Sequence, residues 1–160
     1  MEASNNPVFL QRSHPIIGKI LCYFKLDGKE CLMDKQRYNA VSGIILDSAL
    51  AVHREMGPGL LESVYQECLT CELDERKIQF ETMVMLPLVY KGKTLNKNYI
   101  IDIIVEKEII AELKSVECIL PVHEAQIISY LKLAKKKLGF LINFNVPLIK
   151  NGFIRFVNNF

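Results

Sequence analysis

Apolar residues recur along this chain in two rhythms, and the changes from one to the other mark out its elements. From Arg37 to Met56 the positions Val41, Ile44, Ile45, Ala49 and Val52 repeat at helical spacing. Gly57-Pro58-Gly59 closes that helix, because glycine suits the position after a helix and proline cannot continue one. A second helix follows in LLESVYQECLTCELDERK, and TMVMLPLVYKG then reads as a strand ending in a turn at Lys91-Gly92. Two further strands, at about 98–105 and 109–116, flank Glu106-Lys107-Glu108 in NYIIDIIVEKEIIAELKSVE. Pro121 precedes a helix in VHEAQIISYLKLAKKK, and the last strands, GFLINF and GFIRFV, flank a loop at Lys150-Asn151-Gly152. Helix, helix, three strands, helix and two strands imply an α/β layer fold around a mixed sheet. No internal repeat interrupts this order.

Residues 1–36 differ from the rest. KILCYFKLDGKECLM is expected to form a small hairpin around Asp27-Gly28, or else a poorly ordered extension. Met33 offers an alternative start, and the main domain is expected to span 37–160. Its size suits one domain with a real core, and half the chain is hydrophobic while 24% is charged, which excludes a disordered chain. A net charge of +2 argues neither for nucleic acid nor for a membrane. No apolar run approaches the ~18–20 residues of a membrane span, and the first residues lack the basic and apolar regions of a signal peptide. Five cysteines without regular spacing suit a reducing compartment, so the expected location is the cytoplasm.

Three charges break into the apolar hairpin: Asp102, Glu112 and Lys114. A buried charge costs several kcal/mol unless it is paired or holds a metal. Register decides whether the three can meet. A two-residue loop at Glu106-Lys107 would pair 102 with 111 and turn Glu112 away from Asp102. A three-residue loop, Glu106 to Glu108, pairs 105 with 109 and 102 with 112; the carboxylates then face each other about 5 Å apart at Cβ, with Lys114 on the same face. An irregular bend at Asp102 would serve equally. Two facing carboxylates call for a cation or a proton between them. Mg²⁺ suits such oxygen ligands, and a metal-bound water near a lysine can attack a phosphodiester. The plain structural reading is a salt-bridged hairpin in which Lys114 neutralises Glu112.

Asp102, with Glu112-Leu113-Lys114 on the next strand, resembles the core of the PD-(D/E)XK nucleases; the proline of that name is absent, since Ile101 precedes Asp102. Gln126-Ile127-Ile128-Ser129-Tyr130 resembles the QxxxY motif of the RecB-like branch, and Glu62 sits where that branch often has an acidic metal ligand. Gly59-Leu60-Leu61-Glu62-Ser63-Val64-Tyr65 is similar to the signature of the GxxExxY protein family. The likeness extends to AVHREMGPGLLESVY, VYKGK, AELKSVE, PVHEAQIISYLKL and GFLINF, about residues 38–158.

The resemblance implies a restriction-endonuclease-like core in α-βββ-α-β order and a Mg²⁺- or Mn²⁺-dependent nuclease. Asp102 and Glu112 would bind the metal, aided by Glu62 and the Leu113 carbonyl. Lys114 would position or activate the attacking water, with Gln126, Tyr130 and Tyr65 in support. The partner would be nucleic acid, DNA being expected, and no membrane. The competing reading is an inactive module of the same fold that binds nucleic acid or a protein; a third is a purely structural domain.

Each supporting residue also has a plainer role. Glu62 in the first turn of its helix favours the helix dipole, Gln126 and Tyr130 at i and i+4 could simply close over the sheet, and Lys135-Lys136-Lys137 suits a helix C-terminus. Lys91, Lys93 and Lys97 could flank a phosphate track. His123, at the start of its helix, could touch a phosphate but is expected simply to be exposed, and His53 is expected to be structural. Cys68 and Cys71 are expected to pack as small apolar residues, and with no cysteine after Cys118 an iron–sulfur cluster is not expected.

Overall fold

A computed structural model describes residues 30–158. Helix α1 (Glu30–Met56) and helix α2 (Glu62–Glu75) precede strands β1 (Phe80–Tyr90), β2 (Lys93–Val105) and β3 (Ile109–Lys114). Helix α3 (Pro121–Leu133), strand β4 (Leu138–Asn143), the single-turn helix α4 (Ile149–Gly152) and strand β5 (Phe153–Val157) complete the order. Residues Tyr38–Phe160 form one compact unit. The hairpin expected around Asp27-Gly28 lies mostly outside the described residues. Its last residues, 30–33, belong to α1: no glycine or proline separates them from Arg37, so the helix runs on through them.

The five strands lie in sequence order, antiparallel except for the parallel pair β3–β4. Helix α3 makes that parallel crossover, so the sheet is mixed, as a restriction-endonuclease-like α/β fold requires. One sheet face buries Ile103, Val105, Ile109, Ala111, Leu113 and Phe140 against Ile45, Ala49, Leu69 and Leu73 of α1 and α2. The other buries Ile101, Ile104, Ile110 and Leu141 against Ile127, Tyr130 and Leu131 of α3. Strands β3 and β4, covered on both faces, read as nearly unbroken apolar runs for that reason.

Strand β2 is longer than its apolar run. KTLNK is polar, yet Lys91 and Gly92 adopt positive φ (48° and 77°) and form a two-residue turn that pairs Tyr90 with Lys93. The turn carries the ladder past the apolar residues into an exposed ribbon. The loop expected before β5 contains α4. A side chain at Gly152 would stand 2.2 Å from the Asn143 carbonyl, so glycine is what allows β5 to start beside β4. Among the described residues, no helix is long and apolar enough to cross a membrane.

Candidate functional site

The three-residue loop is the register adopted: Val105 pairs with Ile109, Ile104 with Ile110 and Ile103 with Ala111. Glu106 and Lys107 make the reversal at positive φ, 52° and 59°. The paired ladder stops there, one step before Asp102 and Glu112. Asp102 Oδ2 instead accepts the Leu113 N–H at 2.8 Å. The alternation of faces breaks at the same point. Ile101 and Ile104, three residues apart, both enter the α3-side core, whereas Ile103 enters the other. On β1 the ladder pairs Thr82 with Ile103 and Val84 with Ile101, skipping Met83, whose φ is 51°. Asp102 therefore lies at a crease crossing both strands, the irregular bend anticipated from the sequence.

Glu112 is 1% exposed and shares its face of β3 with Ile110. Lys114 Nζ donates to Glu112 Oε1 at 2.8 Å and to the Leu113 carbonyl at 2.7 Å. Glu112 Oε2, also buried, has no hydrogen-bond partner among the described residues. Burial, then the charge of Asp102, raises the Glu112 pKa to about 7 against the pull of Lys114. Asp102 is raised too, by burial, against the Leu113 N–H and Lys114. Partial burial pulls Lys114 down, but its bond to Glu112 and the charges of Glu112, Glu62 and Asp102 outweigh this, so its pKa rises. The ammonium thus holds its proton firmly.

Glu62 reaches the site from the first turn of α2, at the opposite layer. Ser115, just past β3, holds that turn by donating its hydroxyl to the Leu60 carbonyl at 2.6 Å. Burial raises the Glu62 pKa, Lys114 lowers it and Asp102 raises it further, so all four charged groups feel one another. Tyr65 supports them indirectly. Its hydroxyl donates to the Gly57 carbonyl (2.7 Å) and accepts from Leu60 N–H (3.0 Å), while its ring stacks on Phe144 at 4.5 Å. The pattern Gly59, Glu62, Tyr65 is thus a turn, an acid and the staple that fixes both; Gly57 and Gly59 supply the positive φ that the turn needs.

From α3, Gln126 Nε2 donates to the Tyr130 hydroxyl at 2.7 Å, and the Tyr130 ring lies 5.3 Å from that of Tyr99 on β2. Burial raises the Tyr130 pKa, with Gln126 opposing and the charges of Glu112 and Asp102 adding to it. His123 departs from expectation. It is partly buried, because its Nδ1 accepts the Leu120 N–H at 3.2 Å and caps α3. His53 is structural: Nε2 bonds the Val146 carbonyl at 2.7 Å. Cys68 packs partly against the core, while Cys71 is exposed rather than packed.

Sequence reasoning missed Asn143. Its buried side chain donates to the Val116 carbonyl (2.8 Å) and accepts the Val116 N–H (3.0 Å), holding the segment directly after Lys114. A polar residue closing the apolar run GFLIN was the available signal.

The donors gathered here, carboxylates and a carbonyl, are hard oxygen ligands, and the partnerless Glu112 Oε2 fits a cation. Among the described residues no three His, Cys, Asp or Glu side chains are arranged as a metal site as they stand. Asp102, Glu112 and Glu62 stand near enough for their charges to act on one another. The Lys114 ammonium bonds both Glu112 and the Leu113 carbonyl, two of the expected ligands. An open cleft of about 540 Å³ lies elsewhere, lined by Asp74, Lys77, Gln79 and Lys107 near the far end of α2. Among the described residues it brings together no partnerless buried charge of the kind Glu112 presents.

A family profile described as the PD-(D/E)XK nuclease superfamily matches residues 39–156. No curated protein and no solved structure matches the chain.

Proposed function

The chain belongs to the PD-(D/E)XK nuclease superfamily, and on that premise we propose that it hydrolyses phosphodiester bonds of nucleic acid, DNA in preference to RNA, with Mg²⁺ or Mn²⁺. The observation that carries this reading is Glu112, a deeply buried carboxylate with one oxygen on Lys114 and the other without a partner, close enough to Asp102 to feel its charge. A salt bridge kept only for structure has no need of the second acid, whose charge raises the cost of the first. The narrower likeness to the GxxExxY family and the RecB-like branch rests on the motifs.

Asp102, Glu112 and the Leu113 carbonyl would hold the metal, with Glu62 completing the set. When bound, such an ion supplies charge stabilisation at the scissile phosphate and a water acidic enough to act near neutral pH. Lys114 now holds two of the same oxygens, Glu112 Oε1 and the Leu113 carbonyl, and would have to yield them to such an ion. Freed from those oxygens, Lys114 would position or activate the attacking water beside the phosphate. Tyr130, held by Gln126, limits where the lysine can swing.

The test pairs calorimetric metal binding with turnover of labelled single- and double-stranded DNA and RNA in Mg²⁺ and in Mn²⁺. Asp102→Asn is expected to lose metal affinity and nearly all hydrolysis. Lys114→Ala is expected to keep the metal, with affinity unchanged or higher, yet to cleave about 100-fold more slowly or worse. Cleavage by Lys114→Ala at the wild-type rate would remove the lysine from the mechanism. A wild type that binds metal and nucleic acid but cleaves none of these substrates would leave the inactive binding module, which the internal Lys114–Glu112 bond also accommodates.

A further inference from the structure

We infer that the β1–β2 ribbon is an arm that grips the phosphate backbone of a nucleic-acid duplex and leads it to the carboxylate site. The reading rests on the nuclease assignment for its reason to hold nucleic acid beside Asp102; the observations are separate. From Thr82 to Ile101 the chain has three lysines, Lys91, Lys93 and Lys97, and no acidic residue, although basic and acidic residues nearly balance overall (20 and 18). Among the described residues none of the three lysines pairs with a carboxylate. Past the crease neither helical layer covers the ribbon fully: residues 93–100 are all exposed, and so are Met85 (68%) and Tyr90 (62%). Lys91 Nζ lies 5.5 Å from the centre of the Tyr90 ring, placing a cation and an aromatic face together near the tip.

That much exposed apolar surface calls for a partner. A second copy of the chain suits it poorly. Strand β1 is the edge of the sheet, but Pro87 lacks the N–H that strand addition needs, and a bulge follows between Pro87 and Val89. Two such ribbons would also set like charges against each other. A duplex suits it better, since a two-stranded ribbon fits a B-DNA major groove about 12 Å wide. The bulge sets Leu95, Asn96 and Lys97 opposite Leu88 alone, and Lys97 is exposed there. Lys97 and Lys93 stand five and nine residues along β2 from Asp102, at most ~16 and ~30 Å away. At the base of the arm, Tyr99 packs on Tyr130 beside the site.

The test is fluorescence anisotropy of a 30-base-pair DNA duplex, the matching RNA duplex and a single strand, in EDTA so that nothing is cleaved, from 50 to 300 mM salt. Wild type is compared with K91A/K93A/K97A and with K91R/K93R/K97R, all three lysines being solvent-facing; circular dichroism verifies the fold. The alanine variant is expected to bind the DNA duplex ~10-fold or more weakly. Its slope of log affinity against log salt is expected to flatten by about 0.9 for each phosphate no longer neutralised, roughly 2.7 for three. The arginine variant is expected to restore both. An unchanged affinity and slope in the alanine variant overturns the arm, as does a wild type that binds none of the probes. If the alanine substitutions instead alter self-association, read by light scattering, the occupant is a second copy and the proposal falls. Failure of the nuclease reading looks different: the wild type would bind through the arm yet hydrolyse nothing in Mg²⁺ or Mn²⁺.

Discussion

Folding takes the Glu112 carboxylate out of water, sets Asp102 beside it and gives only one of its oxygens a partner. Its pKa rises from 4.5 to about 7, so between those values the folded protein holds a proton that the unfolded chain releases. Stability falls wherever the folded state binds more protons and the pH increases. The metal-free protein is therefore expected to lose about 3 kcal/mol from this group as pH rises from about 4.5 through 7, and to level off above. Asp102 and Glu62 shift in the same direction and add to the slope, while Lys114, already raised above 10.5, titrates outside the window. Denaturant unfolding in EDTA at pH 5 to 8 checks it: wild type should weaken across the range and Glu112→Gln should weaken much less. A flat wild-type profile would mean that Glu112 is better solvated than its burial implies. The sequence made the charges themselves legible, because Asp102, Glu112 and Lys114 stand among isoleucines. It did not reveal that Lys114 turns back onto the carbonyl of its own neighbour, since that contact depends on the bend of the chain and not on spacing.

The elements around the site were legible to different depths for physical reasons. The sequence left two registers open for the β2–β3 hairpin, and the three-residue loop is the one adopted; the break in alternation at Asp102 follows from neither. The end of β2 was not legible, because KTLNK is paired through the Lys91-Gly92 turn and not through its own apolar content. Helix α2 is a middle case. The spacing of Glu62 and Tyr65 put them on one face, but only the fold gives Tyr65 its two partners across the Gly57-Pro58-Gly59 turn. Tyr65→Phe keeps the stack on Phe144 and removes the staple, leaving the Leu60 N–H and Gly57 carbonyl without it. A stability loss of about 1–3 kcal/mol is expected from thermal or denaturant unfolding. If the staple positions Glu62, calorimetry on the fully folded variant should also give weaker metal binding. A loss of stability with metal affinity intact would confine Tyr65 to holding the turn.

At the scale of the whole molecule, the crease at Met83 and Asp102 separates two kinds of sheet. On one side, β2, β3 and β4 are packed between α1 and α2 below and α3 above, and 103–105 and 109–113 are buried almost throughout. On the other, β1 and β2 continue as a two-stranded ribbon in which Val84, Leu86 and Tyr99 contact the α3 side while residues 93–100 are exposed. A two-stranded ribbon in water is marginally stable alone, so its hydrogen bonds should open without the core unfolding. Hydrogen exchange read by mass spectrometry is expected to give fast exchange in peptides covering 88–98 and the slowest in those covering 103–113, with the step near Asp102. That step would leave the carboxylate cluster on the rigid side, where its geometry is held to the tolerance chemistry needs, and the lysines on the yielding side, where they can follow a substrate of variable shape. Adding a DNA duplex in EDTA should then slow exchange in 88–98 and leave 103–113 nearly unchanged. Equal protection on both sides of the crease without DNA would mean that ribbon and core open as one unit, and this division between a rigid site and a yielding approach would not exist.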